Sequence, residues 1–453
     1  MRKIIFSITV FFVTLLAFAQ DGSLDLSFNT DFGSTDKISN VLLQSDGKIL
    51  VSGNFQNSYP DKKIIRLNSN GSLDDTFNPE FNSTDVPYMS SIQMDGKVLV
   101  VLNNSSETQG LVIRLNADGS VDNSFQTFAG ANGSINVVVS TSDSKILIGG
   151  KFSTYNGNNV KSMVRLKSNG EIDLSFNYSY LDNEIHYIKP LKNEKYLVIV
   201  DNPSLFGNEI FRMNSNGTPD ESFEVNRICG YIPFSLQSDE KIVLQESCID
   251  WSFGGPPYDM LYRLNTDGRF DNTFARISFD LPSNLFWKTF SDDKILVSGI
   301  FNSYGGNSAK NIMRLNVDGQ FDSSFNGGNG PNEEITHAVE QSDGKIIVAG
   351  NFTSYNGITR NHLARINNVT LSANEFKMNE ITFYPNPVKD VLYLNMPNAI
   401  SVNEFEIYDS LGKKVSTNTL SNNQINVAEL SNGVYLLKLK TDNGVYSNKF
   451  LKN

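Results

Sequence analysis

The sequence is poor in the residues that usually build metal centres and redox or nucleophilic sites. Its 453 residues include only 2 cysteines, 3 histidines and 2 tryptophans. The histidines, His186, His337 and His362, lie far apart along the chain and lack the spacing of metal ligands. No HExxH zinc motif, GxSxG nucleophile elbow or P-loop is present. We therefore predict no metal, no cofactor and no enzymatic activity, and interpret the histidines as surface or packing residues.

Positive charge is also scarce. Lys and Arg total 38 against 49 Asp and Glu, which gives a formal net charge of −11. Nucleic acids and anionic membranes bind surfaces that are rich in Lys and Arg. The composition therefore argues against both as partners.

Long apolar runs occur only at the N-terminus. Residues 1–19 combine the basic start MRK with the apolar run IIFSITVFFVTLLAF and the small-x-small sequence Ala17–Ala19. This order is typical of a signal peptide cleaved before Gln20. The apolar run is shorter than the roughly 20 residues of a spanning helix, which disfavours the alternative of a membrane anchor. We therefore expect an exported mature protein with no transmembrane segment.

The two cysteines, Cys229 and Cys248, flank the segment IPFSLQSDEKIVLQ, which is predicted to form strand, turn and strand. Folding this hairpin about Asp239 places the cysteines nearly opposite each other. An exported protein meets an oxidising compartment, so we predict a cross-strand disulfide. Two free buried thiols are the alternative.

An internal repeat dominates the chain. The motif RLNSNGSLDDTF (Arg66–Phe77), here called the RLN motif, recurs in variants that begin at Arg114, Arg165, Arg212, Arg263 and Arg314. A second landmark is a tight turn followed by an apolar run, as in SDGKILVSGNF from Ser45. With half-motifs at both ends, each landmark occurs seven times at intervals of 46 to 53 residues. Such a period is typical of propellers, solenoids and arrays.

Each repeat reads as four short β-strands, such as NVLLQ, KILVSG, KKIIRLN and SLDDTF in the first. Asp-Gly or Asn-Gly between such runs predicts type I′ turns, in which both central residues have positive φ. Four strands in about 50 residues correspond to one propeller blade.

The ends of the array favour a closed ring over an open solenoid. The mature chain opens with DGSLDLSF at Asp21, the second half of the RLN motif, and the array closes with Ala364–Asn367, its first half. If the two halves complete one repeat, no sheet edge is left exposed. We predict an all-β protein: a seven-bladed β-propeller at 20–367, a linker at 368–379 and a small Ig-like β-sandwich at 380–453.

The recurrent residues of the RLN motif have structural explanations. We expect its Phe to pack between neighbouring blades and its Asp to accept hydrogen bonds from turn amides. Its Arg is expected to reach this Asp or a carbonyl group. Calcium binding is the alternative, but the motif lacks the first acid and the distal Glu of an EF-hand loop.

The G-x-x-D-x-x-F element of the RLN motif, together with the DGK turn followed by Ile or Val, characterises residues 21–367. This region resembles the delta-60 repeat family of bacterial β-propellers. The resemblance implies a propeller and implies no particular activity.

The tail has its own set of motifs, PNP, DSLGK, LSNGVY and a basic end. It resembles the type A C-terminal sorting domain of the type IX secretion system. The resemblance implies the secretion machinery as a partner and export across the outer membrane of a Gram-negative bacterium, followed by removal of the tail and surface attachment or release. The residues that match are Pro385, Asn386, Pro387, Asp409, Gly412, Lys413, Gly433, Tyr435 and Lys449.

Aromatic residues in loops are the candidates for ligand contact. Four repeats carry a Tyr-bearing loop at equivalent positions, and one face of Tyr rings would suit a sugar or peptide. Alternatively, each Tyr packs under its own loop. The fifth repeat carries the insertion IDWSFGGPPYDM, which is either a binding loop or a lid over the rim. The candidates are Tyr59, Tyr155, Tyr304, Tyr355, Trp251, Phe253 and Tyr258.

These features favour a secreted or surface-attached, non-catalytic binding or adhesion protein with a polysaccharide or surface-protein ligand. Two alternatives remain. One is a secreted hydrolase or lyase that acts on polysaccharide or peptide in the central funnel of the propeller. The other is a structural component of a surface layer.

Overall fold

The computed structural model divides into two compact units, residues 1–369 and 370–453. It describes residues 20–82, 86–104, 106–180, 182–202, 207–224, 226–228, 234–248, 258–275, 277–279, 285–368, 382–395, 402–409, 413–418, 423–441 and 444–453. Across these ranges the regular structure is β-strand, and no helix has the length and hydropathy needed to span a membrane. The predicted signal peptide lies outside them, as does the predicted linker apart from Asn368, which is buried in the first unit.

The described part of the first unit forms seven antiparallel sheets of three or four strands, one for each repeat, besides three two-stranded hairpins, and we interpret the seven as the blades of one propeller. The predicted fourth strand SLDDTF is not a strand, because only Leu73 forms a β-bridge and a turn follows it. Within each sheet the strands pair in chain order. Sheets 1 to 3 are β1 (Lys37–Leu43), β2 (Ile49–Asn54) and β3 (Ile64–Leu67); β4 (Pro87–Ile92), β5 (Val98–Asn103) and β6 (Gly110–Leu115); β7 (Ser134–Ser140), β8 (Ile146–Lys151) and β11 (Met163–Leu166). Sheet 4 is β12 (Ile185–Pro190), β13 (Tyr196–Asn202), β14 (Gly207–Met213) and β15 (Asn226–Ile228). Sheets 5 to 7 are β16 (Phe234–Leu236), β17 (Ile242–Cys248), β18 (Tyr258–Leu264) and β19 (Ile277–Phe279); β20 (Phe286–Thr289), β21 (Ile295–Ser298) and β24 (Ile312–Leu315); β25 (Ile335–Glu340), β26 (Ile346–Gly350) and β29 (Leu363–Ile366).

Three sheets carry a small hairpin between their second and third long strands. These hairpins are β9 (Thr154–Tyr155) with β10 (Asn158–Asn159), β22 (Ser303–Tyr304) with β23 (Asn307–Ser308), and β27 (Ser354–Tyr355) with β28 (Ile358–Thr359). In the first, Asn156 and Gly157 both have positive φ, at 50° and 77°. This pair is a type I′ turn, which suits the right-handed twist of a two-residue hairpin.

The third hairpin has the same turn, with φ of 52° at Asn356 and 77° at Gly357, whereas the prediction of type I′ turns is wrong for the Asp-Gly and Asn-Gly turns before the second strands and within the RLN motifs. In the turn before β2, Gly47 has φ of 82° but Asp46 does not share the positive region. The Gly47 N–H donates to the Gln44 carbonyl at 3.0 Å, and the Gln44 N–H donates to the Lys48 carbonyl at 2.9 Å. This longer loop needs only one residue of positive φ, the arrangement of a type I turn with a bulge.

The RLN motif folds into a buried polar node. In the first complete motif, Arg66 Nε donates to Asp74 Oδ2 at 2.7 Å, and the guanidinium carbon lies 4.9 Å above the ring centre of Phe77. Lys48 from the preceding turn reaches the same carboxylate oxygen at 2.9 Å. Asp74 Oδ1 accepts hydrogen bonds from the N–H and hydroxyl of Thr76. The carboxylate therefore binds two cations of the protein itself rather than calcium, the alternative considered above.

Each node also connects neighbouring sheets. Arg66 Nη1 donates to the carbonyl oxygen of Ala117, which belongs to the next repeat, at 2.6 Å. Removing one partner of a buried pair is costly because it leaves a charge without compensation. The seven nodes are Arg66–Asp74–Phe77, Arg114–Asp122–Phe125, Arg165–Asp173–Phe176, Arg212–Asp220–Phe223, Arg263–Asp271–Phe274, Arg314–Asp322–Phe325 and Arg365–Asp25–Phe28.

The last of these nodes joins the two ends of the array. Arg365 Nε donates to Asp25 Oδ2 at 2.9 Å, although 340 positions separate the two residues. Leu24 forms an antiparallel bridge with Ile366, and the Asp25 N–H donates to the Arg365 carbonyl at 2.8 Å. An internal repeat has the same bond between Asp74 and Arg66. The two half-motifs thus form one complete motif, and the edge of the last sheet is paired.

The first strands of the sheets form the inner ring of the unit. Neighbouring contacts run from β25 to β1, β4, β7 and β12, and from β16 to β20 and β25. Between β12 and β16, the rings of Tyr187 and Phe234 lie 6.5 Å apart. Polar side chains also link these strands laterally. Asn40 donates to the Met89 carbonyl at 2.5 Å, and Asn136 donates to the Ile185 carbonyl at 3.0 Å.

The second unit has two antiparallel sheets around one core. Their strands are β30 (Thr382–Tyr384), β31 (Val391–Asn395) and β34 (Gln424–Asn426) in the first, and β33 (Lys414–Asn418), β32 (Val402–Tyr408), β35 (Gly433–Thr441) and β36 (Gly444–Lys452) in the second. Leu392 and Ile425 from one sheet share a cluster with Ile407, Leu437 and Phe450 from the other. The predicted Ig-like topology stays an interpretation of this two-sheet arrangement.

Candidate functional site

The first strands contact one another in a ring, and we interpret the space that they surround as the central channel of the propeller. In every sheet a lysine ends the turn between the first two strands, as Lys48 does in the first sheet, and we call it the turn lysine. The residue six positions before it is equivalent in all seven sheets, because in each it pairs with the second residue after the turn lysine. The residues at this position are Leu42, Ser91, Val139, Lys189, Ser235, Lys288 and Val339. Two of the seven therefore carry an ammonium group.

Lys189 and Lys288 are exposed to solvent on these innermost strands and are nevertheless surrounded by protein. Burial lowers the pKa of Lys189. Burial, and secondly the charge of Lys189, lowers the pKa of Lys288. Because sheet 5 separates their strands, this interaction between charges acts across the channel.

His337 on β25 faces the same space. It lies two residues before Val339, so it shares a strand face with the equivalent position described above. Burial and the charge of Lys288 lower its pKa to about 4, which leaves the imidazole neutral at pH 7. Its Nδ1 lies 2.9 Å from the hydroxyl of Thr336. His337, predicted to be a surface or packing residue, thus contacts the central channel.

A polar groove between sheets 3 and 4 is the second candidate. Its volume is about 430 Å³. Amide, hydroxyl, ammonium and carboxylate groups surround it, from Asn132, Lys151, Ser153, Ser162, Asp182, Asn183, Glu184 and Asp201. Lys151 Nζ lies 3.8 Å from Glu184. In the described part of the chain, no group of three His, Cys, Asp or Glu side chains is arranged to hold a metal ion.

The predicted face of exposed tyrosines is contradicted for two of its members. Tyr155 and Tyr355 are buried, at 1% and 0% exposure, and belong to the cores beside their hairpins. The Tyr355 hydroxyl donates to the Gly22 carbonyl at 2.8 Å, which ties the hairpin to the N-terminal segment. Both rings are placed inside because an aromatic ring buries a large apolar surface. The spacing of the repeats does not reveal this burial.

The other two tyrosines are only half-buried. The Tyr59 ring packs edge-on against Phe32 at 6.0 Å, and the Tyr304 ring lies 6.5 Å from Phe321. Both rings therefore pack against neighbouring aromatics and do not converge on one another in these contacts.

Several predicted site residues lie outside the described structure. Trp251, Phe253 and Cys229 are outside the described residues. Tyr258 begins β18 and Cys248 ends β17, where their backbones pair, but their side chains are not described. The aromatic insertion and the disulfide therefore stay predictions.

The predicted sorting residues gather around the C-terminal strand. Asn386 Oδ1 accepts a hydrogen bond from the Leu451 N–H at 2.8 Å. The Tyr435 ring stacks on Phe450 at 5.6 Å, and its hydroxyl donates to the Ser431 carbonyl at 2.9 Å. These contacts hold β36 in place.

The remaining described sorting residues lie on the surface. The Lys413 N–H donates to Asp409 Oδ1 at 2.9 Å. Pro385, Pro387 and Lys449 are exposed, and Gly433 begins β35. Gly412 lies outside the described residues.

Comparison with protein families decides the nature of both units. Residues 382–453 match the secretion system C-terminal sorting domain. Residues 44–77, 93–125, 141–176, 291–325 and 341–369 match the domain of unknown function (DUF5122) beta-propeller. The chain carries a DUF5122 β-propeller and a C-terminal sorting domain. The sorting domain marks substrates of type IX secretion, so the protein is exported and is either surface-attached or released.

Both resemblances found in the sequence are thereby confirmed, and so is the all-β propeller class. No catalytic family matches the DUF5122 propeller. A search of curated protein sequences found no match to the chain.

Solved structures with a similar backbone fold share little sequence identity with this protein. One is the extracellular domain of a one component system from B. thetaiotaomicron, at 13% identity and a TM-score of 0.44, covering 96% of this chain and 58% of that chain. The Dos1 propeller has 11% identity and a TM-score of 0.49, covering 74% and 88%. A prolyl endopeptidase has 10% identity and a TM-score of 0.43, covering 90% and 55%. The chain thus spans less than two thirds of the first of these structures.

Proposed function

We propose that the protein is a non-catalytic binding protein of the bacterial exterior, with the DUF5122 propeller as its binding unit. The match of residues 382–453 to the sorting domain carries this proposal. It assigns the protein to the outside of the cell, where surface polysaccharides and surface proteins are the available ligands. The sorting domain engages the secretion machinery, and the propeller remains as the exported cargo.

The polar groove between sheets 3 and 4 supports a polysaccharide as the ligand class. Its volume of about 430 Å³ lies within the usual range of small-ligand pockets. Asn132, Asn183 and Asp201 offer amide and carboxylate groups. These groups donate to and accept from hydroxyls, which a sugar presents on every edge.

The first experiment tests export. Cells that express the full chain, or a chain truncated before residue 382, are separated into medium, outer membrane and periplasm, and each fraction is analysed by mass spectrometry. We expect the full chain to reach the surface or the medium and the truncated chain to remain in the periplasm. Equal export of both chains would contradict the proposed role of the sorting domain.

The second experiment tests binding. The purified protein is applied to a panel of bacterial and host polysaccharides, and the variant Asp201→Ala is compared with Asp267→Ala, which alters an exposed turn of sheet 5. We expect the groove variant alone to bind more weakly. Absence of binding to every polysaccharide, or equal loss in both variants, would contradict a polysaccharide ligand at this groove.

A further inference from the structure

The buried charged residues of the RLN motifs have partners within the fold. Arg66 and Lys48, for example, both pair with Asp74. Lys189 and Lys288 differ, because no described residue forms an ion pair or a hydrogen bond with either ammonium group. They are therefore charges that the propeller fold itself does not use.

The position of these lysines is also unusual among the repeats. The equivalent residue is Leu42, Val139 or Val339 in three other sheets. An aliphatic residue at this position fits a β-strand and packs against its neighbours, so the fold does not require lysine there. Two ammonium groups in one channel repel each other, and burial adds to the cost. Such an arrangement points to a ligand that supplies the missing negative charge.

The number of charges indicates the kind of ligand. Lys189 and Lys288 supply two amino groups whose protonated forms an anion between them would stabilise, and the pKa of His337 of about 4 leaves its imidazole neutral at pH 7. The ammonium of lysine is a compact point charge with three donors, which suits the oxygens of phosphate and sulfate. The neutral imidazole of His337 can add a hydrogen bond without adding charge.

We propose that the central channel of the propeller binds a divalent oxyanion group, phosphate or sulfate, between the ammonium groups of Lys189 and Lys288. His337 lies beside this site on the neighbouring strand face. The inference rests on the proposed binding function and specifies a chemical group of the ligand. A phosphate monoester on a surface polymer and the free inorganic ion share this chemistry.

The test is a calorimetric titration of the purified mature protein with sodium phosphate, sodium sulfate and N-acetylglucosamine 6-phosphate at constant ionic strength. Acetate serves as the singly charged comparison. We expect one site per chain that prefers the divalent ions over acetate. Tighter binding of the sugar phosphate than of free phosphate identifies an ester as the ligand, and equal or weaker binding of the sugar phosphate identifies the free oxyanion.

Variants locate the site. Lys189→Met and Lys288→Met keep the aliphatic stem and remove the charge, and each should weaken binding about tenfold or more, because a hydrogen bond to a charged group is worth about 1.5–3 kcal/mol. Lys288→Arg should retain binding. The matched control is Lys310→Met, an exposed lysine outside the channel, which should leave affinity unchanged. Thermal unfolding of each variant shows whether it is folded.

Two results would overturn the inference: no binding of either divalent ion by the wild type, or equal affinity in the wild type and both channel variants. Neither result depends on export or on the polysaccharide panel. Loss of the channel site with intact export and polysaccharide binding would therefore refute this inference alone. Intact ion binding without export or polysaccharide binding would refute the proposed function alone.

Discussion

Replacing Asp25 with alanine should destabilise the propeller at the place where its two ends meet. The Asp25 carboxylate accepts from Arg365 Nε at 2.9 Å, Lys345 Nζ at 2.8 Å, and the N–H and hydroxyl of Ser27 at 2.9 and 2.6 Å. Arg365 is only 7% exposed, so truncation leaves a buried guanidinium without its counter-charge. Breaking such a pair costs about 3–5 kcal/mol. Lys345 is 30% exposed and can turn to solvent, so it adds little.

The assay is urea unfolding of the mature protein followed by circular dichroism. Asp74→Ala is the matched control, since it removes the same carboxylate from a node built within one continuous segment. Both variants should lose similar stability. Only Asp25→Ala should release the N-terminal segment, because that segment is covalently attached at one end. Hydrogen exchange should then rise at Gly22 and Asp25, whose N–H groups bond to residues 367 and 365. A loss below about 1 kcal/mol would refute the buried-pair reasoning.

Three further predictions concern acid, the channel and the hairpins. Burial would raise the pKa of Asp173, but hydrogen bonds and a nearby guanidinium outweigh it and lower the pKa to about 2. The stabilisation from this carboxylate should therefore be fully present above its ordinary pKa near 4 and be lost between pH 4 and 2, as measured by acid unfolding. A stability that does not change over this range would contradict the ion pairs of the nodes. Lys288→Met should raise the pKa of His337 from about 4 toward its ordinary value, because the charge of Lys288 lowers it, while burial still keeps it below that value. NMR titration measures this pKa, and an unchanged value would mean that Lys288 does not lie near His337. Tyr355→Phe should lower the free energy of unfolding by about 1–2 kcal/mol, because it removes a buried hydrogen bond to the N-terminal segment. Tyr155→Phe is the control and should cost less, because the Tyr155 hydroxyl has no partner among the described residues. Equal losses would argue against the hydrogen bond from Tyr355 to Gly22.

The architecture was largely predictable because each repeat carries its own local evidence. Apolar runs of strand length, Gly at fixed offsets and two complementary half-motifs predict a ring of β-sheets, and the Arg, Asp and Phe of the motif meet as a node. The turn type was not predictable from Asp-Gly alone. A two-residue and a three-residue loop use the same dipeptide, and the number of residues between the paired strands decides which forms.

The candidate site was predictable only in part. Tyr155 was a candidate for an exposed face, with packing under its own loop as the alternative, and the structure shows it buried. A loop tyrosine is exposed or buried according to what packs above it, which one repeat in isolation does not encode. Lys189 and Lys288 were missed although a signal was present. Aligned on the turn lysine, they occupy a position where the other repeats have Leu, Val or Ser. The register of the sheets determines which strand face meets the channel, and an alignment of the repeats alone does not give that register.

A crystal structure of the mature protein grown with sodium sulfate would test the account most directly. We predict a ring closed by the bridge between Leu24 and Ile366, with a sulfate ion held by Lys189 and Lys288 in its centre. A ring that is open at this bridge, or lysines that point away from the axis with no ion between them, would contradict it.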